Sequence, residues 1–237
     1  MRPIPWALAG VVLALLSGCA APRSGASTPK VPSAESRAAA QSFKQLAPGD
    51  LEEMEAQATA VTFAPGGAAT QASPEAAKGY VNLFEAERVA AEVYAVLAEK
   101  WDGRPFSKIM EAEKTHMTAV SSVVERMGSK APQTVAGKYQ MEEFQALYDS
   151  MVTRGSTSRE DAMEVGAEIE EMSIRDLLVW RKAEKDVTVQ KVLDNLIRGS
   201  SNHLKAFLRG RKALGMPEYE TKYLSKEELK MYSGETK

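Results

Sequence analysis

Residues 106–120 read FSKIMEAEKTHMTAV, and this stretch sets two polar side chains inside an apolar stripe. Ile109, Glu113, His116 and Val120 follow one another in steps of four and three, which is the spacing of one face of an α-helix. Glu113 and His116 therefore share the inward face of a predicted helix. A buried carboxylate is costly unless it is paired or bound to a cation. The stretch therefore predicts a core helix whose inner side presents a paired or cation-binding carboxylate and imidazole.

Three other stretches repeat this combination of an apolar stripe and an inward polar side chain. They are a helix over residues 73–102 with Glu87, a helix over 158–184 with Glu170 and Glu171, and a helix over 188–214 with His203. Helical periodicity leaves open which of Glu170 and Glu171 faces the core, because each falls on an apolar row. The alternative for each polar residue is a core side chain satisfied by a hydrogen bond.

The order of these helices predicts an all-α protein, built as a four-helix bundle over residues 73–237. The connection between the second and third long helices is long and carries a short extra helix over residues 140–154. One long crossover of this kind is typical of the ferritin-like four-helix bundle. Ser225 and Glu228 have the spacing of a capping box, which predicts a short C-terminal helix.

The bundle resembles the ferritin-like superfamily, with rubrerythrin as its best-known relative. It resembles more closely an uncharacterised family of ferritin-like bacterial and archaeal domains. The resemblance is carried by EAERVAAEVYAVLAEKW (85–101), FSKIMEAEKTHMTAV (106–120), FQALYDSMVTRGSTSREDAMEVGAEIEEMSIRDL (144–177) and GSSNHLKAF (199–207). It implies a metal centre with the ligands Glu87, Glu113, His116, Glu170 or Glu171, and His203. Carboxylate oxygens with imidazole nitrogens suit iron or manganese, as one or two ions.

The fourth helix departs from the superfamily's pattern. The full pattern has a Glu three residues before the His of that helix, and Ser200 stands at this position. About five protein ligands remain, which is few for two ions unless water, hydroxide or a neighbouring acid such as Glu168 is added. A single ion and an asymmetric pair with one weak site both stay open. The missing carboxylate weakens the expectation of redox activity more than the expectation of metal binding.

These observations favour a metal-binding protein that oxidises ferrous iron or reduces peroxide. No catalytic residue is assigned beyond the ligands, since the two histidines leave none for a Ser–His–Asp arrangement. The alternative is a non-catalytic envelope scaffold or a metal-storage module. The chain has no CxxC pair, so redox turnover would need an external electron donor.

The N-terminus predicts export and lipid attachment. Residues 1–18 have the charge and apolar run of a signal peptide, and they lead into Leu16-Ser17-Gly18-Cys19, which resembles the lipobox of bacterial lipoproteins. The resemblance implies acylation of Cys19, with palmitate among the chains, and anchoring in the bacterial cell envelope. Because Ala20 and not an aspartate follows, it implies the outer membrane. Residues 19–72, rich in Ala, Pro and Ser, predict a disordered, flexible linker.

The composition excludes several classes of function. The chain has 237 residues with 30 basic and 32 acidic side chains, and a net charge of −2 is too small for a nucleic-acid-binding protein. A single cysteine excludes an internal disulfide, a Cys₄ zinc site and a cysteine-ligated iron–sulfur cluster. The expected partners are the membrane and, for a redox-active site, the electron donor. A homodimer is left open as the alternative to a monomer.

Overall fold

The computed structural model describes residues 74–101 and 104–234, and the predicted signal peptide, Cys19 and linker lie outside these described residues. The described residues form helices and their connections, with no β-strand among them. The helices are α1 (Pro74–Lys100), α2 (Phe106–Arg126), α3 (Glu142–Gly155), α4 (Arg159–Ala183), α5 (Val187–Ala213) and α6 (Lys226–Ser233). The predicted all-α fold is confirmed.

Four of these helices, α1, α2, α4 and α5, form the bundle. α1 pairs with α2 and α4 pairs with α5, each through a short connection, while the long link between α2 and α4 carries α3. The hydroxyl of Tyr80 near the start of α1 bonds to Glu184 just after α4, and that of Tyr94, further along α1, bonds to Glu170. α1 and α4 therefore run antiparallel. None of the described helices is both long and apolar enough to cross a membrane.

Side-chain caps set the starts of α4, α5 and α6. Ser158 accepts a hydrogen bond from the N–H of Asp161 at the start of α4, and Ser225 forms the predicted capping box with Glu228 at the start of α6. α5 begins one residue earlier than predicted. The reason is Asp186, whose carboxylate accepts from the backbone N–H groups that follow it and satisfies the first turn.

The bundle core divides into two apolar clusters. One contains Tyr94, Phe106 and Phe207, whose rings pack together, and the other contains Tyr80 and Leu193. In α1, α2 and α5 the predicted polar positions fall between residues of one cluster and residues of the other, whereas Glu170 of α4 lies among residues of the first cluster. A polar layer therefore crosses the middle of the bundle with apolar side chains on both sides, and its carboxylates and imidazoles are buried.

Candidate metal centre

Glu113 lies at the middle of the polar layer and contacts both histidines of the chain. Its Oε2 is 2.8 Å from Nδ1 of His116, and its Oε1 is 2.7 Å from Nδ1 of His203. The two imidazole rings stack with their centroids 5.4 Å apart. One ligand atom from each of the three residues lies within 4.8 Å of the others. This buried group could hold a metal ion.

Two further carboxylates complete the layer on either side of this group. Oε2 of Glu87 lies 3.3 Å from Nδ1 of His116, and Oε2 of Glu170 lies 3.5 Å from Nδ1 of His203. All four carboxylate and imidazole contacts therefore pass through the two histidine Nδ1 atoms. The arrangement consists of two halves joined by Glu113, and each half has one histidine, one outer carboxylate and one oxygen of Glu113.

The hydrogen bonding of the cluster fits a cation. Oε1 of Glu113 and Nδ1 of His203 are both buried and lie 2.7 Å apart as an ion pair, although the angles between them are not those of a hydrogen bond. A buried carboxylate is stabilised by such a pairing. One metal ion could replace the proton between this oxygen and this nitrogen and bind both of them. The types of ligand atom in the cluster and the distances between them are thus both compatible with a bound cation.

The ionisable groups of the layer shift each other's pKa values. Burial raises the pKa of Glu87 to about 7, and burial together with the charge of Glu113 raises the pKa of Glu170. For Glu113 burial acts in the same direction, but the charges of His116 and His203 outweigh it and hold its pKa well below its usual range. For His203 burial lowers the pKa, but the Glu113 charge outweighs burial and raises it to about 9. Protons therefore balance the charge of the layer, and a bound cation would displace them.

Tyr94 holds one of the outer carboxylates in place. Its hydroxyl lies 2.6 Å from Oε1 of Glu170 and 3.3 Å from the carbonyl oxygen of Gly166. Oε2 of the same carboxylate stays directed at His203. The apolar stripe placed Tyr94 on the inner face of α1, but nothing in the sequence indicated which acid its hydroxyl would contact.

Glu171 does not belong to the cluster, although the sequence left it as an alternative to Glu170. Its carboxylate is buried and accepts hydrogen bonds from the hydroxyls of Tyr219 and Thr221 and from the backbone N–H groups of residues 222–224. Adjacent helical residues point about 100° apart, so Glu170 faces the bundle centre while Glu171 binds the C-terminal segment. Glu171 as a ligand is therefore corrected to a structural role.

Glu168 is also not the additional ligand that the sequence suggested. Its Oε2 lies 2.7 Å from Arg154 and 2.6 Å from Nζ of Lys222. Burial opposes ionisation of Glu168, but these two cations outweigh burial and hold its pKa below its ordinary value. Two ion pairs satisfy this carboxylate on the outer side of α4.

α5 brings two further residues to the cluster that the sequence reasoning did not assign. A Cβ on Gly199 would lie 2.4 Å from Nε2 of His116, so only glycine allows α5 this close to that ring. Ser200 stands where the fourth carboxylate is missing, and its hydroxyl is buried without a hydrogen bond among the described residues. The next residue, Ser201, instead bonds back to its own helix at Ile197. The small residues Gly-Ser-Ser shortly before His203 could have indicated a close approach of α5 to a neighbouring helix.

Comparisons with known proteins agree with this architecture. Residues 76–232 match the model of a family described as an uncharacterized protein domain, DUF2202. The chain is 36% identical over 158 residues to the uncharacterized protein MJ0754 of Methanocaldococcus jannaschii, which covers 66% of this chain and 85% of that protein. A crystal structure of hypothetical protein MJ0754 from Methanococcus jannaschii matches with a TM-score of 0.68 and 33% identity, covering 74% of this chain and 99% of that one. Because the family model matches well over half of its length, the chain belongs to the DUF2202 domain family.

Proposed function

We propose that this chain is a lipid-anchored, ferritin-like protein whose polar layer binds a pair of non-haem iron or manganese ions and oxidises ferrous iron or reduces peroxide. The observation that carries the proposal is the position of Glu113. Its two oxygens lie 2.8 Å and 2.7 Å from nitrogens of two different histidines. A carboxylate that has one oxygen beside each of two imidazoles could serve as a ligand of two ions, one beside each histidine.

Each half of the cluster supplies a matched set of donors. Glu87 and His116 form one half, Glu170 and His203 form the other, and Glu113 gives one oxygen to each. Carboxylate and imidazole donors suit iron and manganese better than soft metals, which prefer thiolates. When bound, two such ions supply the two electrons that reduction of peroxide requires.

The residues of this chain have defined tasks in that centre. Three carboxylates supply negative charge against the cations, and the two imidazoles supply neutral donors once their protons are released. Tyr94 donates to Glu170 and so restricts the rotation of that carboxylate. The apolar clusters on both sides keep the layer buried, and a buried environment strengthens the electrostatic interactions in the layer.

The cellular place of the protein is proposed from the N-terminal sequence. The lipobox-like Leu16-Ser17-Gly18-Cys19 supports acylation of Cys19, and Ala20 supports the outer membrane of the bacterial envelope. The linker over residues 19–72 would separate the bundle from the membrane surface. Replacement of Cys19 by serine should move the protein from the detergent phase to the aqueous phase on Triton X-114 partition, and continued detergent partition would refute the anchor.

Elemental analysis of the purified full chain tests the metal centre. We expect about two iron or manganese ions per chain, as the paired arrangement implies, and a loss of both in Glu113→Gln. Asp194→Asn is the control, because Asp194 is an acid of α5 that pairs with Arg181 and lies outside the cluster. A metal-free chain whose melting temperature does not change on adding iron or manganese would refute metal binding.

A second candidate function is metal storage or binding without catalysis. Ser200 favours it, because the missing fourth carboxylate leaves one bridging ligand instead of two. The two candidates differ in their reactivity. Consumption of O₂ or peroxide by the iron-loaded chain supports the oxidoreductase, and a fully loaded chain that consumes neither supports the storage module.

A further inference from the structure

A cavity between α1, α3 and α4 reaches the outer carboxylate Glu87. It is lined from α1 by Asn82, Ala86 and Glu87, and from α4 by Ser173 and Asp176. The Asp176 side chain is 28% exposed, whereas the Glu87 side chain is 2% exposed. The cavity therefore joins a carboxylate at the surface to a carboxylate of the metal layer. Its volume of about 30 Å³ has room for one or two water molecules.

Most residues that line this cavity are apolar or aromatic, and the four polar ones, Asn82, Glu87, Ser173 and Asp176, all carry oxygen acceptors. Asn82 is only 2% exposed, and its Oδ1 has no hydrogen-bond partner among the described residues. A buried amide oxygen without a partner is unfavourable unless something in the cavity binds it. Ser173 adds a hydroxyl, and Asp176 and Glu87 add carboxylates at the two ends. No lysine, arginine or histidine is among the residues that line the cavity.

Arg175 lies at the outer end and pairs with Asp176. Its Nε and a terminal nitrogen both donate to Oδ1 of Asp176, at 2.8 Å and 2.6 Å. These bonds leave Oδ2 of the same carboxylate unengaged within the described residues. A cation can therefore meet Asp176 at Oδ2 without first breaking its ion pair with Arg175.

We propose that this cavity is the inlet through which a divalent cation reaches the metal layer, with Asp176, Asn82 and Glu87 as successive oxygen ligands. This inference rests on the proposed metal-binding function. Hard divalent cations prefer oxygen ligands, and a space of one or two water molecules requires the cation to shed part of its hydration shell. Asp176 attracts the cation at the surface, and the Asn82 oxygen replaces lost water on the way to Glu87.

Stopped-flow loading of Co²⁺ into the metal-stripped full chain tests the inlet, because bound Co²⁺ reports both the rate and the final amount through its visible absorbance. Asn82→Leu keeps the side-chain size but removes the acceptor, and Asp176→Asn removes the charge at the surface. Asp194→Asn is the matched control, since Asp194 is also a surface acid that pairs with an arginine, Arg181, but does not line the cavity. Ala86→Ile narrows the same cavity from a different position and serves as the second blocking variant.

We expect Asn82→Leu, Asp176→Asn and Ala86→Ile each to slow loading by about tenfold, the lower end of the rate gain that a charged cleft provides. The final absorbance should equal that of the unmodified chain, and Asp194→Asn should load at the unmodified rate. Release of Co²⁺ into excess chelator should also slow in Asn82→Leu and Ala86→Ile, because a cation that enters through the cavity must leave through it. Unchanged loading rates in Asn82→Leu and Ala86→Ile would overturn the inlet, and so would a reduced final absorbance, which would place these residues in the final metal site and not along the path to it. An unmodified chain that binds no Co²⁺ at all would instead refute the proposed metal centre.

Discussion

Replacing Gly199 with alanine tests whether the close approach of α5 to His116 is required for metal binding. The new Cβ would lie 2.4 Å from Nε2 and 2.6 Å from Cε1 of the ring, and ordinary contact begins at 3.4 Å. The ring must therefore retreat by about 1 Å. Since its Nδ1 is held 2.8 Å from Glu113, this retreat moves the nitrogen away from its place in the cluster.

We expect the metal affinity of Gly199→Ala to fall by about 10–100-fold, as happens when the surroundings that orient a metal ligand are altered. This loss corresponds to about 1.4–2.7 kcal/mol. Glycine within a helix is itself unfavourable by about 0.5–1 kcal/mol relative to alanine. Crowding a packed core costs about 1–3 kcal/mol, so the metal-free variant should stay folded but unfold at a somewhat lower temperature than the unmodified chain, while its metal affinity falls.

Chelator competition measures the affinity, and thermal unfolding of the metal-free chain measures the stability. Arg198→Ala is the control, because Arg198 precedes Gly199 on α5 and its side chain is exposed. If Gly199→Ala bound metal as tightly as the unmodified chain, the reasoning that His116 must keep its present position would be refuted.

Three further outcomes follow from the contacts. Ser200→Glu supplies the carboxylate that the fourth helix lacks, so the affinity for the second ion in a metal titration should rise by about tenfold or more, and an unaltered titration would contradict the paired site. Glu171→Gln places an N–H₂ group among the donors of the C-terminal segment and should lower the free energy of unfolding in urea by about 1–3 kcal/mol, whereas an unchanged free energy of unfolding would contradict its structural role. Asp186→Ala removes the cap of α5 and should cost about 1–2 kcal/mol at neutral pH. Burial opposes ionisation of Asp186, but the Arg126 charge and the N–H of Thr188 outweigh burial and lower its pKa. Its contribution is thus present at neutral pH and lost as the pH falls through the lowered value, so the stabilities of the two proteins should converge in acid.

Periodicity was sufficient to predict the helices because the apolar stripes are long and their caps are local. Ser158 and Ser225 bond to N–H groups three residues ahead, so the signal lies within one turn of sequence. The same periodicity placed Glu87, Glu113 and His203 on inward faces, and the structure buries all three.

The finer features of the site depend on contacts between distant segments. The sequence could not separate Glu170 from Glu171, because both carboxylates are buried, Glu170 inside the bundle and Glu171 under the C-terminal segment that covers another side of α4. The role of Gly199 depends on the position of a ring on another helix, His116. Tyr94 likewise contacts an acid 76 positions away. Local patterns carry no information about such pairings.

The hydrogen bonds between the C-terminal segment and Glu171 restrict the rotation of α4 about its long axis. The Glu171 carboxylate accepts hydrogen bonds from the backbone N–H groups of residues 222–224 and from two hydroxyls. Rotation of α4 about its long axis would break these bonds. Because Glu170 is the next residue on the same rigid helix, the direction in which it points is set from outside the bundle. A chain that ends before residue 222 would thus leave the Glu170 side chain less restricted, although none of the proposed ligand residues is altered.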